Sequence, residues 1–147
     1  MVYQRLVQIV SGWVALCHFV LGLGGLFGDA ALIASLVRFF YGADIPIDPT
    51  LFYVAKLLSV YFLVFGALTL AIALRPRAYL TLVPIVIAFF LLRVAELLYF
   101  YRVVGEQFLV ADRRLTEKIV SFAIIAVLLG VAAYRMRATT GAAVPQH

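Results

Sequence analysis

Long apolar runs alternate with short polar breaks along this chain. Four runs stand out, at residues 6–27, 51–74, 79–101 and 116–134. Each holds close to the roughly 20 apolar residues that a helix needs to cross the hydrocarbon core of a bilayer. A further apolar segment, 30–41, is too short to span; it reads as an interfacial or re-entrant helix in the first connection, ended by Gly42. Asp48-Pro49 is a helix start, because the carboxylate caps free N–H groups and proline fits a first helical turn. Arg75-Pro76-Arg77-Ala78 is a tight hairpin that predicts antiparallel, neighbouring second and third spans. Pro84 predicts a kink in the third span, since it removes one helical hydrogen bond. The predicted fold class is all-α: an integral membrane four-helix bundle over residues 1–137, with a flexible tail at 138–147.

Small residues recur inside the runs at spacings of three and four. Ser11, Ala15, His18, Gly22 and Gly25 do so in the first span, and Lys56, Ser59, Leu63 and Gly66 in the second. Ala123, Ala126, Gly130 and Ala133 form a similar stripe in the fourth. Such spacing marks packed seams, and small residues let membrane helices approach closely. Gly24 and Gly28 match GxxxG, a pattern common in apolar helices. Tyr41, Tyr53, Tyr79, Tyr99, Tyr101 and Tyr134 fall near predicted span ends and read as an interfacial aromatic belt. In the third connection, Phe108-Leu109-Val110 is placed to touch the membrane surface.

Composition strengthens this reading. Of 147 residues, 66% are hydrophobic and 13% charged, and mean hydropathy is +1.11; a soluble domain has about 45–50% apolar residues. No room is left for a separate soluble domain. The run at 6–27 exceeds the core of a signal peptide, about 7–15 residues, and reads as a span. The net charge is +5, but the basic residues are spread over segment ends, with no aromatic-interleaved basic patch, so no nucleic acid is expected as a partner. Arg5, Arg75, Arg77, Arg135 and Arg137 lie on one predicted side, and Arg38, Arg102, Arg113, Arg114 and Lys118 on the other. The counts tie. The short basic hairpin, and the acidic residues gathered opposite it, place both termini in the cytoplasm.

Candidate chemistry is confined to a few residues. Arg93 and Glu96 sit inside the third run, three positions apart and so on one helical face. A charge at mid-span costs roughly 2.5–3.5 kcal/mol even on lenient insertion scales. Lys56 lies in the second run and His18 in the first. The topology puts Lys56, Arg93 and Glu96 in the outer half of the membrane and His18 nearer the middle. It predicts an inward-facing ion pair or triad of Glu96 with Arg93 and Lys56, whose surplus positive charge suits an anion, a lipid headgroup or a ligand carbonyl. Plainer roles stand beside this one: a snorkelling Lys56, a structural Arg93–Glu96 pair, and a His18 bonded to its own backbone. No catalytic residue, metal site or cofactor is expected. Cys17 is the single cysteine, His18 and the terminal His147 are the only histidines, and no HExxH, nucleophile elbow or P-loop occurs.

The segment Ala55-Lys56 … Gly66 … Ala73-Leu74-Arg75-Pro76, followed by Arg93 and Glu96 in the next span, resembles small bacterial four-span proteins of DoxX-like type over about residues 6–137. The resemblance implies a four-helix core in a bacterial inner (cytoplasmic) membrane. It transfers no catalytic residue, and the segment 44–49 has no counterpart in it. The first functional expectation is a non-enzymatic scaffold or accessory subunit, with membrane lipids and other membrane subunits or further copies of itself as partners. The alternative is a ligand-binding or transport bundle for an anionic or lipid-like molecule, using His18, Lys56, Arg93 and Glu96. The third is a membrane enzyme acting on a lipid or quinone-like substrate through His18 or Glu96.

Overall fold

A computed structural model of the chain describes residues 2–141. Its elements are α1 (Val2–Phe27), α2 (Ala30–Tyr41), α3 (Pro49–Leu74), a 3-10 turn (Leu80–Leu82), α4 (Val83–Tyr99), α5 (Tyr101–Gln107) and α6 (Asp112–Gly141). The expected all-α fold is present, and four helices are long and apolar enough to cross a membrane. The fourth is much longer than expected. It continues through residues 138–141, assigned above to the tail; residues 142–147 lie outside the described residues.

Local chemistry sets the helix ends. Asp48 accepts a hydrogen bond from the Leu51 amide at 2.7 Å, with Pro49 in the first turn of α3. Asp29 caps α2 through the Leu32 amide at 2.8 Å. Gly42 closes α2 with φ of 73°, a left-handed cap that glycine adopts without a Cβ penalty. Pro84 lies at the start of the third span's α-helix and not in its interior. The chain enters α4 through the 3-10 turn, which puts Pro84 in the first turn of the α-helix, where no helical N–H partner is needed.

The helices are not arranged in simple sequence order. α1 packs most extensively on α3 and also meets α6, while α4 packs on α6. The hairpin makes α3 and α4 consecutive, and they meet through side chains, but their backbones stay farther apart than those of α1 and α3. The reason lies in the side chains. The α1–α3 seam is lined by small residues: a Cβ on Gly22 would lie 2.7 Å from Leu63, and one on Gly25 would fall on Ser59 Oγ. Gly66 sits against Ala15 and His18. α3 and α4 instead face each other with rings, Phe65 and Phe89 having centroids 4.2 Å apart. Close approach favours the small-residue seam, because in lipid it is packing contact, not water exclusion, that holds helices together.

Two clusters fill the interior. One, containing Val7, Val83 and Met136, extends to the hairpin end of the bundle. The other, around Ala43, Leu97, Val110 and Leu115, closes the opposite end, with Val37 and Tyr41 of α2 packed on it. Val110 is therefore buried inside this cluster, although Phe108 and Leu109 beside it are exposed.

Candidate functional site

His18 occupies the centre of the bundle. Its Nδ1–H donates to the Val14 carbonyl one turn back, at 2.7 Å, which leaves Nε2 as a lone-pair acceptor. Three rings surround the imidazole: Phe65 at 4.7 Å, Phe62 at 5.8 Å and Phe89 at 6.1 Å between centroids. The ring series continues from Phe65 to Phe89 and Phe90, and from Phe90 to Phe122 on α6. His18 thus begins a chain of aromatic contacts touching all four long helices. The seam spacing around His18 pointed to its inward face, but not to these phenylalanines; Phe62 and Phe65, three apart, and the adjacent Phe89-Phe90 were the available signal.

Lys56 is used differently from the expected triad. Its Nζ donates to the carbonyls of Leu26 at 2.8 Å and Gly28 at 2.6 Å, and lies 4.8 Å from the centroid of the Phe52 ring. The ammonium therefore caps the end of α1, where unpaired carbonyls and the helix dipole favour a cation. Among the described residues Lys56 has no carboxylate partner. Counted from the hairpin, Lys56 is about 27 Å along α3, with Arg93 about 20 Å and Glu96 about 25 Å along the 3-10 turn and α4. Lys56 is therefore close to Glu96 in depth, and it is the carbonyls at the end of α1 that keep it from the expected triad.

Arg93 and Glu96 do form the expected ion pair, between Nη1 and Oε2 one turn apart on α4. The pair is not enclosed: its side chains are 28% and 49% exposed. On the helix they continue the flank of Phe89, whose ring meets Phe65 and so faces α3. Because α3 and α4 stay apart, nothing in the bundle covers this flank as closely as α1 covers α3. Tyr41 of α2 lies within electrostatic range of both charges. Burial pushes its hydroxyl above the ordinary tyrosine range, with Arg93 opposing and Glu96 reinforcing the shift. Tyr41 is accordingly part of this end's packing, not of a lipid-facing belt.

Other polar features escaped the sequence reading. Arg38 of α2 pairs with Asp44 across the Gly42 turn. Ser11 Oγ is buried on the seam face of α1 with no hydrogen-bond partner among the described residues. An open recess is lined by Tyr101, Arg102, Glu106 and Asp112, at α5 and the start of α6, and includes none of the four candidate residues. Among the described residues no group of three or more His, Cys, Asp or Glu side chains is gathered as a metal site would need.

Compared with protein-family models, curated proteins and solved structures, the chain matches none. Fold and side-chain geometry alone define its class: an all-α bundle whose four long helices are apolar enough to cross a membrane.

Proposed function

We propose that this chain is a non-enzymatic scaffold or accessory subunit of a membrane complex, in a bacterial-type cytoplasmic membrane with both termini on the cytoplasmic side. One observation carries the reading. Every ionisable candidate inside the spans is engaged by the chain's own groups: His18 with Val14, Lys56 with Leu26 and Gly28, and Arg93 with Glu96. Held this way, Lys56, Arg93 and Glu96 stabilise the fold, while the Nε2 that His18 keeps as an acceptor belongs to an imidazole packed among three phenylalanine rings. The DoxX-like resemblance belongs to the same proposal, supported by the four long helices and the tight Arg75–Arg77 hairpin. The flank of α4 that carries Arg93 and Glu96 is the surface for a neighbouring subunit's helix, because a half-exposed ion pair among apolar side chains gains from being covered.

Purification in mild detergent, followed by size-exclusion chromatography with light scattering, tests this. A defined homo-oligomer or a stable co-purifying subunit is expected, and Leu92→Trp on the exposed side of α4 should weaken it. A monodisperse monomer without partners overturns the proposal. One observation favours a second reading, a lipid-like ligand bound at the same flank: Glu96 is half exposed and reachable from the bilayer. Under that reading Glu96→Gln changes the lipids retained by an intact monomer and leaves assembly untouched.

A further inference from the structure

The charges of this molecule are sorted by end. All seven carboxylates, Asp29, Asp44, Asp48, Glu96, Glu106, Asp112 and Glu117, lie in the first connection, in α5, or in the halves of α4 and α6 remote from the hairpin. The hairpin end carries five arginines and no acid: Arg5 in the first turn of α1, Arg75 and Arg77 in the turn after α3, and Arg135 and Arg137 near the end of α6. The chain's formal charge of +5 is therefore held at one end, since the remaining seven basic residues balance the seven acids. All four ion pairs among the described residues are at the other end. The five hairpin-end arginines are exposed, and none of their side chains takes part in the ion pairs found among the described residues.

Packing fixes these groups as a rim. Val7, Val83 and Met136 share one buried cluster, with Arg5 two residues before the first and Arg135 and Arg137 on either side of the last. Pro76 is fully buried between Arg75 and Arg77, and the turn is tied by Arg75 N–H to Ala71 O and Tyr79 N–H to Arg75 O, both at 3.1 Å. Each guanidinium thus sits within a few residues of the end of a membrane-crossing helix, at headgroup depth. A guanidinium offers a planar fork of donors matched to phosphate oxygens.

We infer that the hairpin end of the bundle, through Arg5, Arg75, Arg77, Arg135 and Arg137, is a binding surface for anionic phospholipid headgroups of one leaflet. The inference rests on the helices crossing a membrane and is independent of the subunit reading. A lipid phosphate is favoured over an acidic protein because the five charges ring the mouth of the bundle at the level where phosphates lie, instead of projecting on a separate segment.

The full-length protein in mild detergent, given equal amounts of phosphatidylglycerol and phosphatidylcholine with identical acyl chains, provides the test, with retained lipids counted by native mass spectrometry. Wild type should retain phosphatidylglycerol about tenfold over phosphatidylcholine. The variant R5Q/R75Q/R77Q/R135Q/R137Q should fall to parity with its helical circular dichroism unchanged. R113Q/R114Q, at the opposite end, should keep the preference. Should the fivefold variant not fold, R75Q/R77Q carries the test with a reduction of about threefold or more. Parity in wild type, an undiminished preference in the hairpin-end variants, or its loss in R113Q/R114Q overturns the inference. So does loss of a co-purifying acidic protein from those variants with the lipid preference intact.

Discussion

Single residues here show how a costly charge is accommodated in an apolar bundle. Lys56 is held by two carbonyls at the end of α1, and its ammonium lies over the Phe52 ring. Lys56→Met keeps the stem and removes the ammonium, leaving those carbonyls without their donor. Charge-assisted hydrogen bonds of this kind are worth about 1.5–3 kcal/mol, so a clear fall in thermal midpoint in detergent is expected, with helix content unchanged. An unaltered midpoint would mean that water serves the α1 carbonyls as well as Lys56 does. Tyr41 carries a pH signature. Its pKa is raised by burial, so its contribution to stability is present below the ordinary tyrosine range and is lost as pH climbs through the raised folded value. Tyr41→Phe should flatten the stability-versus-pH curve above about pH 10, measured by thermal denaturation across alkaline buffers. Residue types along the chain had announced Lys56, Arg93, Glu96 and His18 as candidates, and the Arg93–Glu96 pair was readable from their spacing. The partners of Lys56 were not, because Leu26 and Gly28 offer only backbone carbonyls, and any residue has those.

At the level of elements, small residues decide which helices touch. Gly25 and Ser59 are both buried at the α1–α3 crossing, and a methyl group on Gly25 has no space beside the Ser59 hydroxyl. Gly25→Ala should cost about 1–3 kcal/mol through overpacking. Ser59→Ala alone removes only a hydroxyl bonded to its own helix at Ala55 and should cost less. Combined, the two substitutions should be milder than the sum of the singles, a coupling that a double-mutant cycle in detergent unfolding would measure. Strict additivity would show that the two residues are not in contact. The caps Asp29, Asp48 and Gly42 belong to this scale as well. Asp48-Pro49 and Gly42 were legible because capping chemistry is local. Pro84 misled, because a proline inside an apolar run reads as a kink until the 3-10 turn before it shows that the helix begins there.

Across the whole molecule, the order of helices around the bundle is the result least visible beforehand. α1 lies against α3 and α6, while α3 and α4, joined by the shortest connection between spans, are held apart by rings. Cysteine cross-linking checks this order. A Cβ on Gly12 would lie 3.8 Å from Ala73 Cβ, the usual separation in a disulfide, about 3.8 Å. Gly12→Cys with Ala73→Cys, in a chain whose Cys17 is replaced by serine, should therefore cross-link readily under mild oxidation. Failure to do so would contradict the α1–α3 pairing. The sequence by itself determined the number of long helices, most of their ends, the apolar character that suits them to a bilayer, and the sorting of charge to one end. These follow from hydropathy and from capping residues, which act within a turn or two of chain. Only the tertiary structure decided that α3 and α4 meet through rings at a wider spacing than α1 and α3, that Lys56 serves α1 and not Glu96, and that His18 heads an aromatic series through the core. Those outcomes depend on side-chain volumes meeting across helices far apart in sequence, and a periodicity read along one helix carries no information about its neighbour.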